Sequence, residues 1–336
     1  MENNTFQEIW EELKKCKKVV MSLHYGPDGD SIGACTAMKY VLEKQLNAEV
    51  TLVSPDTLAE NMANLSLTKE IEFNKDLSDL DLKNFDAIIF LDSGIYTWVA
   101  GRGKENFSLP ENQTIINIDH HGTNTLYGTL NYVDEKQPST CSLLIDFFEE
   151  NNIEFDKKLS NRLLLGVCTD SGFFTFDTNP NKAIKDASFL IENGADYLNE
   201  ILKPILYNQP LKLKKYYSLL TNRLKINREK RFAYSYITQE EIKDLNLNMA
   251  EVRLGVNDLQ FLSEIDFVFT LSEMQDSIKG SFRSKKQVDV SLFAKALGGG
   301  GHKFAAAFQL PKTSLEQAEK KVIEAIEKVG IHKIQD

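Results

Sequence analysis

Val19-Val20-Met21-Ser22-Leu23-His24-Tyr25-Gly26-Pro27-Asp28-Gly29-Asp30-Ser31 is the stretch that decides how this chain folds. Its first five residues are an apolar run of strand length. A Gly- and Pro-containing loop with two carboxylates comes next. From 31 to 46 the apolar residues Ile32, Cys35, Met38, Val41 and Leu42 then recur at helical spacing. Strand, polar loop and helix in that order open an α/β unit. The pattern continues with strands at 50–53, 87–91 and 115–118, and with helices at 141–148 and 159–167. This succession predicts a parallel sheet with helices on both faces.

The pattern changes after about residue 190. Residues 197–226 are rich in Leu, Tyr, Lys and Asn and read as connecting helices, with Pro204 and Pro210 as breakers. A new set of strands begins at 232–237, and Ile265, Phe267, Phe269 and Leu271 alternate. A helix over 290–297 leads into four glycines. An amphipathic helix over 313–329 closes the chain, with Thr313 as its cap and Glu316 three residues on. The expected division is a domain over 1–190, a helical linker over 191–212, and a smaller α/β domain over 213–336. An active-site cleft is expected between the two domains.

A length of 336 residues fits two domains. With 42% apolar and 26% charged residues, the chain buries enough surface to offset its ordering entropy, which excludes disorder as its main state. No apolar run is long enough to cross a bilayer, and the start, Met1-Glu2-Asn3-Asn4, carries no secretory pattern. Cys16, Cys35, Cys141 and Cys168 show no metal-binding or redox spacing, so reduced, buried thiols in a cytoplasmic protein are expected. A net charge of −10 argues against a protein that coats long nucleic acid.

The chemistry lies in the loops at the ends of the strands. Ligands of open α/β sheets bind at the carboxyl ends of the strands. His24 through Asp30 come after the first strand, and Asp92-Ser93-Gly94 after the strand ending at Leu91. Asp119-His120-His121 succeed the strand ending at Ile118, and Asp170 stands shortly after the apolar segment ending at Val167. Singly, each is a common turn or cap residue. Together they place three of the chain's five histidines and several carboxylates on one rim. Imidazole with carboxylate oxygens suits an ion such as Mn²⁺. Asp28, Asp30, Asp92 and Asp170 would be costly to leave unpaired there, and two divalent cations would cancel their charge. Two such ions clamp both oxygens of an in-line displacement at phosphorus.

His24-x-x-Pro27-Asp28-x-Asp30, Asp92, Asp119-His120-His121 with Asn124, and Asp170 resemble the motifs of the DHH phosphoesterase superfamily in order and spacing. The resemblance implies that His24, Asp28 and Asp92 hold one metal ion. Asp30, Asp92, His120 and Asp170 would hold the other, with Asp92 bridging. It implies that Asp119 orients His120, and that His121 faces the substrate phosphate to stabilise charge or move a proton.

Gly298-Gly299-Gly300-Gly301-His302-Lys303, with Arg283-Ser284-Lys285 upstream, is a local basic patch on an acidic chain. It resembles the Gly-Gly-Gly-His substrate domain that accompanies many DHH enzymes. By that resemblance Arg283, Ser284, Gly299, Gly300, Gly301 and His302 would grip the far phosphate or base of a short nucleotide. A nest of glycine amides is one way to bind an anion, and a helix stop is the commoner meaning of such a run. Two departures from the family pattern are Gly26, where many members carry a polar residue, and Ala307, where they carry Gly.

The chain is too short for the added domain of RecJ-type exonucleases and lacks the membrane segments of some cyclic-dinucleotide phosphodiesterases. The resemblance then narrows to the short two-domain group of nano-RNases and phosphatases of 3′-phosphoadenosine 5′-phosphate. The expected activity is Mn²⁺-dependent hydrolysis of short oligoribonucleotides such as pApA. Cyclic di-AMP or polyphosphate as substrate, and a non-catalytic nucleotide-binding module, are the alternatives. The expected partners are a short oligoribonucleotide or nucleotide, no membrane, and a second copy in a homodimer.

Overall fold

The computed structural model describes residues 3–58, 60–63, 65–104, 107–176, 179–285, 288–301 and 303–331, with the side chain of residue 61 left aside. The chain divides into two compact units, residues 1–208 and 209–336.

The first unit is built on six strands. They are β1 (Lys18–Ser22), β2 (Glu49–Ser54), β3 (Glu72–Phe73), β4 (Ala87–Leu91), β5 (Thr114–Asp119) and β6 (Leu130–Val133). All neighbours pair in parallel, in the order β3-β2-β1-β4-β5-β6. The order reverses between β1 and β4, and an open sheet offers its binding crevice at such a switch point.

Alternate strand residues feed two cores. Val19, Met21, Ile89, Ile116 and Ile118 join one cluster with helices α1 (Phe6–Leu13), α2 (Gly29–Leu46), α4 (Thr140–Glu150), α5 (Lys157–Asp170) and α6 (Pro180–Glu192). A four-residue helix, α3 (Glu60–Ala63), lies on the same side through Met62. Val20, Ile88, Phe90 and Ile115 face the other way, onto short turns that carry Leu77, Leu82 and Val99. Both faces of the sheet are therefore covered, as the apolar strands predict.

Helix α2 begins at Gly29, two residues before the apolar periodicity shows it. The Asp28 carboxylate accepts from the Asp30 and Ser31 amides and caps it. Two glycines let α5 cross α2 closely. A Cβ on Gly29 would lie 2.1 Å from Thr169 Oγ1, and one on Gly166 would lie 2.4 Å from Asp30 Oδ1. Pro204 does not end its helix. It lies inside a π-type helical segment, Tyr197–Tyr207, whose wider turns make room for the ring. Pro210 instead stands at the N-cap of α7 (Leu211–Asn222).

The second unit carries a mixed sheet in the order β11-β12-β10-β9-β8-β7. Its strands are β7 (Lys225–Asn227), β8 (Phe232–Ile237), β9 (Phe267–Glu273), β10 (Ser277–Ser284), β11 (Gly300–Gly301) and β12 (Ala305–Pro311). Among the described residues only β8 and β9 pair in parallel. One face packs on α10 (Val290–Ala296) and α11 (Leu315–Val329). The other packs on α7, α8 (Gln239–Asp244) and α9 (Met249–Leu259). For this reason Val268 is as buried as its alternating neighbours Phe267 and Phe269. The cap of α11 is Ser314, in a reciprocal pair with Gln317, one residue later than the sequence suggests.

Candidate metal centre

The residues after β1, β4 and β5 converge, joined by the end of α5. Among the described residues three groupings of three ligand atoms arise, in each of which all atoms lie within 4.8 Å of one another. They are His24, Asp28 and Asp92; Asp30, His120 and Asp170; and Asp92, His120 and His121. Asp92 lies at the middle. Its Oδ2 is 3.4 Å from His24 Nε2, and its Oδ1 is 3.6 Å from His120 Nε2. Asp170 Oδ2 is 3.5 Å from His120 Nε2, and Asp28 Oδ1 is 3.6 Å from His24 Nε2. Such separations are too long for good hydrogen bonds. They approach the spacing of two atoms that share one ion at about 2.1 Å.

The backbone enforces this convergence. Asp92 comes directly after β4 in the left-handed region, at φ 57°, an uncommon conformation for a residue with a side chain. After Asp170, Gly172, Phe173 and Phe174 turn through three left-handed residues in succession, with φ of 58°, 54° and 67°. Asp30 is buried at the start of α2, and both its oxygens accept backbone amides from the first turn of α4: Thr140 N at 2.6 Å and Cys141 N at 2.9 Å. The Thr140 hydroxyl reaches Asp92 Oδ1 at 3.3 Å.

The electrostatics call for a cation. Burial, then the neighbouring Asp92 charge, push Asp30 up to about 7. Burial and the charges of Asp30, Asp92 and Asp28 hold Asp170 well above the usual carboxylate range. For His24 burial disfavours the charged ring, but Asp28 and Asp92 outweigh it and raise its pKa. His120 is raised likewise, against burial, by Asp92 and Asp30. Carboxylates that resist ionisation beside imidazoles drawn toward protonation are the state of a donor set lacking positive charge. Imidazole nitrogen with carboxylate oxygen is a donor set that suits a divalent metal ion.

Asp119 serves a different partner from the one implied by the resemblance. Its Oδ1 accepts from the His120 backbone amide at 2.8 Å and from His121 Nδ1 at 2.7 Å. Asn124 Nδ2 donates to Oδ2 at 2.6 Å. The His120 ring instead meets the Gln137 carbonyl, with Nδ1 3.3 Å away. The reason is local: β5 ends at Asp119 and the chain turns over His121–Asn124, so the carboxylate meets the backbone amide of the next residue and the ring of the one after. Burial opposes charge on Asp119, but His121 prevails and holds its carboxyl below the ordinary value. Against burial, Asp119 in turn raises His121. An ionised Asp119 can only accept, so His121 Nδ1 carries the proton.

In the second unit, β10 sets Arg283 opposite Ala305, and β11 sets Gly301 opposite Ala306. The Arg283 guanidinium is aimed by Nε on Asn257 Oδ1 at 2.8 Å and Nη1 on the Phe282 carbonyl at 2.9 Å. The glycine run is not an open nest. The Gly298 and Gly299 amides close α10 on Lys295 and Ala294 carbonyls at 3.0 and 2.8 Å. Gly300 and Gly301 are strand residues paired with β12. Ser284 is buried and its hydroxyl accepts from Val288 N at 3.2 Å, so it ties its own loop. Ala307 is exposed on β12 and holds no packing position. His302 lies outside the described residues.

Residues 18–167 match the DHH family, N-terminal domain, and residues 229–328 match the DHHA1 domain. The chain carries a DHH domain followed by a DHHA1 domain. It is 26% identical over 326 residues to the bifunctional oligoribonuclease and PAP phosphatase NrnA of Thermus thermophilus, covering 94% of each. To the protein of that name from Bacillus subtilis it is 22% identical, covering 86% of this chain and 88% of the other. A crystal structure of an exopolyphosphatase-related protein from Bacteroides fragilis superposes with a TM-score of 0.84 at 21% identity, covering 96% and 95% of the chains. At that identity the likeness shows the fold.

Four supports of the DHH centre do not show in the sequence: Thr140, the Cys141 amide, the Gln137 carbonyl, and a network behind the His24 loop. In that network Arg102 pairs with both oxygens of Asp56 at 2.9 and 3.0 Å and stacks over the Tyr25 ring at 3.6 Å. Tyr25 donates to Asp76 at 2.6 Å, and the Gly26 amide donates to Asp56 at 2.7 Å. Gly26 stands at φ 63°, where its lack of a side chain answers a turn requirement. Tyr25, Asp56, Asp76 and Arg102 lie far apart in sequence, so no local pattern announces them.

Proposed function

We propose that this protein hydrolyses short 5′-phosphorylated oligoribonucleotides such as pApA to mononucleotides, and 3′-phosphoadenosine 5′-phosphate to AMP. The reading rests on Asp92, whose two oxygens face two separate groups of ligand atoms, as a bridge between two ions requires. His24, Asp28 and Asp92 would hold one ion, and Asp30, Asp92, His120 and Asp170 the other, with Mn²⁺ preferred. When bound, such a pair supplies positive charge to the phosphoryl oxygens and lowers the pKa of water. The substrate class is supported by whole-length likeness to proteins named for oligoribonuclease and PAP phosphatase activity.

The chain's own residues do the rest. The Asp119 carboxylate fixes the His121 ring through Nδ1 and favours its charged form. His121 can then give a proton from Nε2 to the departing sugar oxygen, or stabilise charge on the phosphoryl group. In the DHHA1 domain Arg283, its guanidinium held by Asn257 and the Phe282 carbonyl, would contact a second phosphate or base of the substrate.

Asp92→Ala tests the reading. With Mn²⁺, its turnover of pApA should fall further than the roughly 10–100-fold typical of losing an outer support of a metal site. Wild-type turnover in this variant refutes the bridge. A panel of pApA, 3′-phosphoadenosine 5′-phosphate, cyclic di-AMP and polyphosphate tests the substrate class. A clear preference for either of the last two refutes it.

A further inference from the structure

Trp98 is an exposed indole set against the metal centre. The side chain is 40% exposed, whereas Val99 and Ala100 beside it are buried. Its ring stands edge-on to the His121 ring, with centroids 6.1 Å apart at an interplanar angle of 77°. His121 Nδ1 in turn lies 3.6 Å from Asp92 Oδ1. An apolar ring open to water therefore sits one side chain away from the proposed phosphate position.

The turn that carries it is anchored. The Trp98 amide donates to the Ile95 carbonyl at 3.1 Å, and its carbonyl accepts from Tyr25 N at 2.8 Å. Tyr96, two residues back, packs on Phe107 and Tyr127 with centroids 6.4 and 6.0 Å away. The Tyr25 contact ties the turn to the loop that bears His24 and Asp28. A large exposed aromatic on a fixed turn loses little freedom when a flat partner covers it.

We propose that Trp98 is a stacking platform for the nucleobase of the nucleotide whose phosphate lies at the metal centre. This rests on the phosphoesterase reading above and refines it: the substrate carries an aromatic base next to the scissile phosphate. Every base has a π-face, so the platform favours nucleotides over inorganic phosphate chains without choosing among bases. His121 between indole and carboxylates sets the span, and a single nucleoside bridges such a gap from its phosphate to its base.

The test compares wild type, Trp98→Ala and Trp98→Phe on pApA and on two analogues in which one or the other adenosine is replaced by an abasic ribose. Trp98→Ala should lower kcat/KM for pApA by about five- to 150-fold, mainly through KM. Trp98→Phe should keep most of the activity. For one abasic analogue, wild type and Trp98→Ala should be alike. Unchanged kcat/KM in Trp98→Ala, or an equal loss on pApA and both analogues, overturns the platform. A second readout needs no turnover. The protein has two tryptophans, and AMP with Mg²⁺ should quench wild-type fluorescence saturably, whereas Trp98→Phe should lose the response and inorganic phosphate should give none. Equal quenching by AMP in both proteins overturns the platform. Wild-type protein that leaves pApA intact refutes the functional reading instead, and the AMP titration still decides the role of Trp98.

Discussion

Gly166→Ala isolates the link between helix packing and the metal centre. Gly166 lies in α5, where Ala is the better helix former by about 1 kcal/mol. Its added Cβ, however, would lie 2.3 Å from Cys141 Sγ and 2.4 Å from Asp30 Oδ1. Restoring ordinary contact requires the carboxylate to retreat by about 1 Å, several times the roughly 0.2 Å tolerance of a metal ligand. The retreat also weakens the 2.9 Å bond that Oδ1 accepts from the Cys141 amide. Overpacking costs about 1–3 kcal/mol, so the metal-free protein should lose only about 0–2 kcal/mol net. At about 2–4 °C per kcal/mol, that is a small fall in Tm. The response to metal should change more. Wild type at a hundredfold excess over Kd gains about 2.7 kcal/mol from the ion, and each tenfold loss of affinity removes about 1.4 kcal/mol of that. Thermal melts with and without Mn²⁺ read both quantities. An undiminished Mn²⁺-induced shift in Gly166→Ala refutes the claim that the α2–α5 crossing sets the position of Asp30. In the double variant Gly166→Ala/Cys141→Ala the sulfur contact is gone and the carboxylate contact remains, so the shift should stay small.

Three further outcomes are expected from the same geometry. Asp30 and Asp170, raised above their unfolded values, bind protons in the folded state that the unfolded chain releases; His24, His120 and His121 do so at higher pH. Metal-free stability should therefore fall as pH rises from the usual carboxylate range through about 7 and beyond, and the Mn²⁺-induced Tm shift should grow over that interval; equal shifts at pH 5.5 and 8 would contradict this. Asp119→Asn removes the charge that favours protonated His121, so the alkaline limb of the kcat profile for pApA should move to lower pH, and an unmoved limb excludes His121 as the proton donor. Arg283→Ala should raise KM for pApA about tenfold or more while sparing a small artificial phosphodiester, and equal effects on both remove Arg283 from substrate recognition.

The sheet was legible because every one of its central strands is an apolar run, such as Ala87–Leu91, ended by a polar residue that cannot continue it. The positions of the carboxylates and histidines that the structure gathers were legible for the same reason: they begin where the runs end. What could not be read is what the side chains touch. Asp28 and Asp30 stand two residues apart and look alike, yet one caps its own helix and the other holds the amides of α4, more than a hundred residues away. Asp119 looks equally able to serve either histidine beyond it, and only the path of the chain beyond β5 decides. The glycine run reads as an anion nest until the carbonyls at the end of α10 are seen to take two of its amides.

The grip of Thr140 and Cys141 on Asp30 has a consequence for how the centre fills. On the proposed two-ion reading, Asp30 is immobile before a cation arrives, so little disorder would be lost at that corner and capture there would be an exchange of protons for charge. The same grip works in reverse. Fraying at the start of α4 would free the carboxylate, so on the same reading departure of the ion and local melting near residues 139–142 would accompany each other.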